Sequence, residues 1–368
     1  MKITAAVVNE EASPFSVEEL ELEEPRADEV LVRVVAAGIC HTDLIVRDQW
    51  YPVPLPAVLG HEGAGVVERT GEGITKVRPG DHVVLSFNSC GECLNCARGK
   101  PAYCLNFFGR NFGGSRPDGS TGISRDGRAL HSHFFGQSSF ASYALVAERS
   151  VIKVPEDAPL ELLGPLGCGV QTGAGGVLNV LHPEAGTSLA VFGAGAVGMS
   201  AIMAAAVTGC TTIIGIDVKP NRLELARELG ATHTINGAEV DAVEEIGNIT
   251  DGGADYVLET TGVPGVLRQS VDALAPLGVC GVIGAPPLGT EVGLDINDVL
   301  IPGKTVRGIV EGDSVPDVFI PRLIELYDRG RFPFDRLIEF YDLKGVNQAA
   351  EDSEEGSVLK PVLRMERA

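Results

Sequence analysis

From about Ser188 onward the chain alternates apolar runs with helix-compatible runs, and this rhythm narrows the available folds more than any other feature. Residues 189–192 form an apolar run that leads into a glycine-rich turn, an alanine-rich stretch reaching Thr208 and a second apolar run at 212–216, together a βαβ unit. The pattern continues with a helix over 221–229 stopped by Gly230, a strand over 256–259, a helix over 266–274, a strand over 279–283 and a last strand near 304–309. Strands separated by helices predict an α/β fold with a doubly wound parallel sheet.

The first 150 residues read differently. Short strands at 29–36, 65–70 and 82–86 are broken by Gly and Pro, with Pro79-Gly80-Asp81 as a turn, so this part is expected to be β-rich and barrel-like. Residues 105–133 show little periodicity and read as a long ordered loop. Beyond Gly312, a helix over 318–327 and a strand over 359–364 are too little for a domain and are expected to rejoin the N-terminal part. The expected division is therefore 1–170 with 312–368, and 171–311. At 368 residues and 44% apolar content the chain can build a sizeable core in each. Its net charge of −21 repels phosphate backbones and anionic membrane surfaces, so neither nucleic acid nor membrane is an expected partner. The start lacks an apolar leader and no long apolar run occurs, which points to the cytoplasm.

Eight cysteines are present, and four of them follow the spacing Cys90-x2-Cys93-x2-Cys96-x7-Cys104. This spacing lets four thiolates converge on one tetrahedral zinc, favoured over a pair of disulfides because intracellular thiols stay reduced. Sulfur would fill every position, so such a metal holds a loop in shape and does no chemistry. Cys210 and Cys280 lie in apolar settings and read as core thiols.

The turn Gly193-Ala194-Gly195-Ala196-Val197-Gly198 directly follows a strand and opens a helix, the context a dinucleotide-binding turn requires. Gly193 permits the tight turn, Gly195 lets a pyrophosphate approach the backbone, and Gly198 allows close helix–strand packing. Asp217 ends the next strand, where a carboxylate accepts from both adenosine ribose hydroxyls and repels a 2′-phosphate, so the cofactor is expected to be NAD. Arg222, on the first turn of the following helix, is placed to cover the adenosine or to stay solvated.

Cys40, His61 and Cys168 remain, each at a loop or strand end. Two cysteines and a histidine are the donor set of an open zinc site whose fourth position takes water or a substrate oxygen. Gly60-His61-Glu62, the cysteine cassette and the later glycine turn, in this order, resemble the zinc-dependent medium-chain alcohol dehydrogenases over essentially the whole chain. Within that family, Cys40-His41-Thr42-Asp43-Leu44-Ile45-Val46-Arg47-Asp48 and Leu163-Gly164-Pro165-Leu166-Gly167-Cys168-Gly169 look most like bacterial aryl-alcohol dehydrogenases. The resemblance implies a Rossmann domain beside a GroES-like catalytic domain, two zincs per subunit, NAD, and a homodimer or homotetramer joined through the cofactor domains, with the edge strand 305–310 as a plausible contact.

It further implies that Cys40, His61 and Cys168 bind the catalytic zinc, with Glu62 beside it and Asp43 orienting His61. Thr42 would accept the alcohol proton, His41 and Lys360 would sit against the pyrophosphate, and Thr172 would flank the nicotinamide. The zinc, as a Lewis acid, would lower the alcohol pKa while hydride passes to the nicotinamide. Many relatives carry a proton-relaying histidine at the position of Ile45, and isoleucine carries no proton, so the relay must end elsewhere. Trp50, Tyr51, Phe107, Phe108, Phe134 and Phe135 cluster near the zinc motifs, and a wall drawn from Trp50, Tyr51 and Phe134 would favour a primary aromatic or allylic alcohol. Ser86, just before the cassette, would leave space for it. Two other readings compete. A glutathione-dependent formaldehyde dehydrogenase would need cations, for which Arg110 and Arg116 are available, and a non-catalytic NAD-binding redox sensor would use both zincs structurally. A sorbitol or threonine dehydrogenase would need a more polar pocket.

Overall fold

The structure, a computed structural model, describes residues 1–366 and divides into two compact units. The first comprises Met1–Gly169, Val315–Ile324 and the chain from Asp335 onward. Its N-terminal part contains β1 (Lys2–Val8), β2 (Ser16–Leu22), β3 (Glu29–Gly38), α1 (His41–Arg47), β4 (Ala57–Val58), β5 (Glu62–Thr70), β6 (His82–Leu85), α2 (Leu94–Ala97), α3 (Phe107–Phe112), β7 (Ile123–Arg125), β8 (Arg128–Leu130), β9 (Tyr143–Ala147), β10 (Val151–Lys153) and α4 (Leu160–Leu163). The second unit, Val170–Ser314 with Glu325–Phe334, takes up the chain within α5 (Gly169–Gly175) and continues through β11 (Ser188–Phe192), α6 (Ala196–Thr208), β12 (Thr212–Asp217), α7 (Pro220–Glu228), β13 (His233–Asn236), α8 (Ala242–Thr250), β14 (Ala254–Glu259), α9 (Pro264–Asp272), β15 (Leu274–Val282), α10 (Ile296–Leu300) and β16 (Thr305–Gly308). The chain ends with α11 (Pro316–Asp328), β17 (Ile338–Asp342), α12 (Val346–Glu355) and β18 (Lys360–Arg364).

In the first unit β3 is the organising strand. It is apolar on both faces, pairs antiparallel with β5, β9 and β18, and is almost wholly buried, as a strand covered on both sides must be. A second sheet, ordered β4-β1-β2-β7-β8, packs on it through Ile3, Leu20, Leu31, Val58 and Leu145. The C-terminal strand therefore lies inside the N-terminal sheet, with Val362 opposite Gly38 and Leu363 opposite Ala37. Neither β17 nor α12 was expected. β17 carries Glu and Asp at exposed or half-exposed positions, which weakens its strand signal.

The stretch 105–133 is not the loop its composition suggests. It folds into α3 and the β7–β8 hairpin, whose turn residues Asp126 and Gly127 both adopt left-handed φ, 51° and 74°. Arg116 anchors it: its guanidinium donates to both oxygens of Glu29 on β3 at 2.6 and 3.1 Å, to Glu23 at 3.0 Å and to the Thr121 carbonyl at 2.8 Å. His133 Nε2 adds a contact to the same Glu29 at 3.0 Å.

In the second unit six parallel strands run β13-β12-β11-β14-β15-β16. Strand order reverses between β11 and β14, which makes their carboxyl ends the natural ligand position of such a sheet. The expected helices and strands are present within a few residues at each end, joined by β13 and α8, which were not anticipated. Among the described residues no helix is long and apolar enough to cross a membrane.

Burial pushes the Glu29 carboxyl upward, but hydrogen bonds from His133 and Arg116 outweigh it and hold the group down at about 2. A depressed carboxyl contributes stability that is full above its ordinary value near 4.5 and is lost as pH falls toward 2. Glu29→Gln is therefore expected to destabilise the protein at neutral pH by about 3 kcal/mol, because it leaves Arg116 buried without its charge partner. In urea unfolding followed across pH, the gap to the parent should narrow below pH ~4.5, and a gap constant down to pH ~2 contradicts this account.

Candidate active site and metal centres

Two clusters of metal-donating side chains stand out. In each, the donor atoms all lie within 4.8 Å of one another: Cys90, Cys93, Cys96 and Cys104 in one, Cys40, His61, Glu62 and Cys168 in the other.

The first cluster is built by local backbone. The Cys93 and Leu105 amides donate to the sulfurs of Cys90 and Cys93 at 3.3 and 3.4 Å, and the Cys90 and Asn106 amides donate to the Cys104 sulfur at 3.2 and 3.4 Å. The Cys96 and Leu105 amides hold the Cys93 thiol down to about 6, whereas burial pushes Cys104 up to about 11. Four converging sulfurs, three of them already accepting from backbone amides, suit a tetrahedral metal that takes thiolates, and none is paired in a disulfide.

The second cluster is assembled from distant segments. Cys40 ends the turn after β3, His61 precedes β5, and Cys168 precedes α5. Asp43, on the first turn of α1 and fully buried, ties two of these segments together. Its Oδ2 accepts from the Cys40 amide at 3.0 Å, and its Oδ1 accepts from the Gly60 amide at 3.1 Å and contacts His61 Nδ1 at 2.9 Å. With Nδ1 engaged, His61 presents Nε2 to the cluster, and that buried atom has no hydrogen-bond partner. A buried nitrogen left without a partner beside two sulfurs is what a metal-binding histidine looks like before the metal is considered. Contact with Cys168 holds the Cys40 thiol well below the ordinary thiol range against the opposing effect of burial, with Lys360 and His61 adding to it.

Lys360, on β18, is 2% exposed. Its ammonium donates to both Glu62 oxygens at 2.9 Å and to the Ile39 carbonyl at 3.1 Å, so its three protons all point to acceptors inside this unit. The resemblance sets this lysine against a pyrophosphate; in this structure its ammonium pairs with Glu62, itself one of the clustered metal donors. Glu62 also accepts from the Gly169 amide at 3.0 Å, next to Cys168. His41 is exposed at the start of α1, and Thr42 is half-exposed with its hydroxyl 3.8 Å from the Cys40 sulfur. Ile45 is buried, at 2% exposure.

Aromatic rings cover the histidine. Phe135 and Phe134 lie against the His61 ring at centroid distances of 4.5 and 5.4 Å. Behind them Phe112 contacts Phe134, Phe135, Phe108 and Tyr51 within 5.9 Å. Trp50 is largely exposed and meets His41 edge-on at 6.4 Å, whereas Phe134 is buried. Sequence reasoning missed Phe112, because a lone Phe in a stretch read as loop carries no signal. It also missed Gln137, whose side chain bonds the His61 and Ser86 carbonyls and the Gly63 amide. Ser86 is buried and donates to the Gly167 carbonyl at 2.6 Å.

In the second unit the glycine turn has the form that a dinucleotide needs. Gly193 adopts φ +92°, a Cβ on Gly198 would fall 1.8 Å from the Gly193 carbonyl oxygen, and a Cβ on Gly195 would meet nothing within 4 Å. The N-terminus of α6 has no side-chain cap, leaving its amides to an anion. Asp217 accepts from the Ala194 amide at 2.8 Å and from the Val218 and Lys219 amides, and Arg222 stands 3.6 Å from it with a buried, unpartnered Nε. Thr172 is nearly buried on α5, and Val197 lies on the first turn of α6.

Comparison with known proteins agrees with this geometry. Residues 26–156 match the alcohol dehydrogenase GroES-like domain, and residues 196–329 match the zinc-binding dehydrogenase family. The geraniol dehydrogenase of Castellaniella defragrans is 46% identical over 98% of this chain and 96% of its own. Among solved structures, benzyl alcohol dehydrogenase from Acinetobacter calcoaceticus superposes with a TM-score of 0.97 at 52% identity, and an alcohol dehydrogenase zinc-binding domain protein from Burkholderia ambifaria with 0.98 at 60%, each covering both chains in full.

Metal analysis should find two zincs per chain, falling to one in Cys168→Ser and in Cys104→Ser. The Cys104 variant is expected to melt well below the parent and the Cys168 variant close to it, since one metal closes a loop and the other sits in an already packed frame. Equal melting losses in the two variants would contradict this division.

Proposed function

The chain belongs to the zinc-binding alcohol dehydrogenase family, and from that premise we propose that it oxidises primary aromatic or allylic alcohols to their aldehydes, reversibly, with NAD as the hydride acceptor. The observation that carries the substrate class is the aromatic layer of Phe134 and Phe135 packed on the metal-facing histidine, with Phe112 behind them and Tyr51 and Phe108 continuing it outward. The names of the relatives, a geraniol and a benzyl alcohol dehydrogenase, support the same class.

When bound, zinc supplies Lewis acidity toward the alcohol oxygen and NAD supplies the hydride acceptor. Cys40, His61 and Cys168 would hold that metal. Asp43 fixes the His61 tautomer by occupying Nδ1, which keeps Nε2 available. Lys360 places a buried positive charge against Glu62, offsetting the carboxylate and thiolates gathered there. Thr42 takes the alcohol proton and, being half-exposed, passes it to water; this replaces the route that Ile45 closes. Gly193, Gly195, Val197 and Gly198 would cradle the pyrophosphate, Asp217 would accept from the adenosine ribose, and Arg222 beside it would lie against the adenosine.

Of the two cations available to the glutathione alternative, one is already engaged. Arg116 is committed to Glu29 and Glu23 and buried at 5% exposure. NADH formation should be compared for benzyl alcohol, geraniol, ethanol and formaldehyde with glutathione. A kcat/KM for benzyl alcohol or geraniol about a hundredfold above ethanol is expected from the extra apolar contact. Preference for the glutathione adduct sinks the substrate class, and a Thr42→Ala variant with undiminished kcat removes Thr42 from the proton path.

We further infer that the chain forms a homodimer or homotetramer through β16, an edge strand bearing half-exposed Val306, beside the exposed Leu300 and Ile301. Val306→Lys should shift sedimentation toward the monomer, and an unchanged profile places the contact elsewhere.

A further inference from the structure

The residues after β16 adopt an unusual backbone. Glu311, Gly312 and Asp313 have φ of 48°, 63° and 52°, three successive left-handed residues of which two carry side chains. Such conformations persist only where surrounding contacts over-determine them, and they gather at functional sites. Here the contacts are explicit. Gln171 on α5 receives a hydrogen bond from the Ser314 hydroxyl on its Oε1 at 2.8 Å and directs its Nε2 to Glu311 at 3.4 Å. Arg307 holds Asp313 at 2.8 Å, and Asn179, in the π-helical turn Gly176–Leu181 that continues α5, donates to the Gly312 carbonyl at 3.1 Å.

The fit leaves no slack. A Cβ on Gly312 would fall 2.4 Å from the Gln171 carbonyl oxygen, and one on Gly175 would fall 2.3 Å from the Gly312 carbonyl oxygen. On its other side α5 touches α6, where a Cβ on Gly173 would fall 1.9 Å from the Val197 carbonyl oxygen. Gln171, Ser314 and the Glu311–Asp313 turn are buried. Helix α5 is thus wedged between the strained turn and the helix that opens the cofactor turn.

Sheet order says what lies over this wedge. Asp217 ends β12, on one side of β11, and the Gly193 turn follows β11 itself. A dinucleotide with its adenosine at Asp217 and its pyrophosphate at the turn must extend its far half over the carboxyl ends of β14, β15 and β16. The Glu311–Asp313 turn follows β16, and Gln171 neighbours Thr172.

We propose that Gln171 is a positioning residue: by clamping the Glu311–Ser314 turn against α5 it sets the surface on which the nicotinamide half of the cofactor rests, without touching the adenosine half. The inference rests on the NAD reading above but not on which alcohol is oxidised.

The test titrates NADH and ADP-ribose, which keeps the adenosine and pyrophosphate but lacks the nicotinamide, into the zinc-loaded parent, Gln171→Ala, Ser314→Ala and the double variant by calorimetry. Each single variant should bind NADH about fivefold to tenfold more weakly while ADP-ribose stays within about twofold, as loss of one buried hydrogen bond predicts. The double variant should lose no more than Gln171→Ala, because the two groups act as one unit. Equal weakening of both ligands, or unchanged NADH binding, overturns the proposal. Should Gln171→Ala fail to fold, Ser314→Ala decides alone, since it removes one hydroxyl. A parent that binds NADH but oxidises no alcohol overturns the substrate reading and leaves the clamp standing.

Discussion

One buried carboxylate organises the metal site. Asp43 accepts from the Cys40 amide, from the Gly60 amide and from His61, so it fixes a donor's backbone, a neighbouring turn and the donor imidazole's tautomer at once. Buried without these partners it would be prohibitively costly, and with them it is rigid, which makes the geometry around it hard to deform. The helix it opens, α1, begins at His41, so His41 and Thr42 inherit their positions from the same group.

Around this frame the charges are arranged to coexist. Two thiols and the Glu62 carboxyl crowd within a few ångströms, and a buried ammonium from β18 stands against them. That ammonium reaches the site only because the C-terminal strand returns to pair with β3, so a topological feature supplies an electrostatic one. Phe134 and Phe135 then pack against the His61 ring. Their segment is held in left-handed turns at His133, Phe135, Gly136 and Ser138, and Gln137 bonds it to the strand ends beneath.

Much of this was legible in the residues. The parallel sheet announced itself through alternating apolar strands and helices, because buried parallel strands need unbroken apolar runs. The cysteine cassette and the glycine turn were equally plain, since each packs its chemistry into fewer than twenty residues whose spacing is the signal. What escaped had non-local causes. The hairpin within 105–133 carried its Asp126-Gly127 turn openly, but its flanking strands are only three residues each and are stabilised by the edge of β2. Lys360 lies 298 positions from Glu62 in sequence, and Gln171 lies 140 from Glu311, so neither pair has a local trace.

By itself the sequence determined the fold class, the metal donors and the cofactor turn, because those depend on residue type, period and short spacing. Tertiary structure alone decided which way each donor points, where the lysine's charge goes, and how α5 is wedged against a strained turn. These are settled by desolvation: a group shut away from water must find its partner wherever the chain happens to bring one.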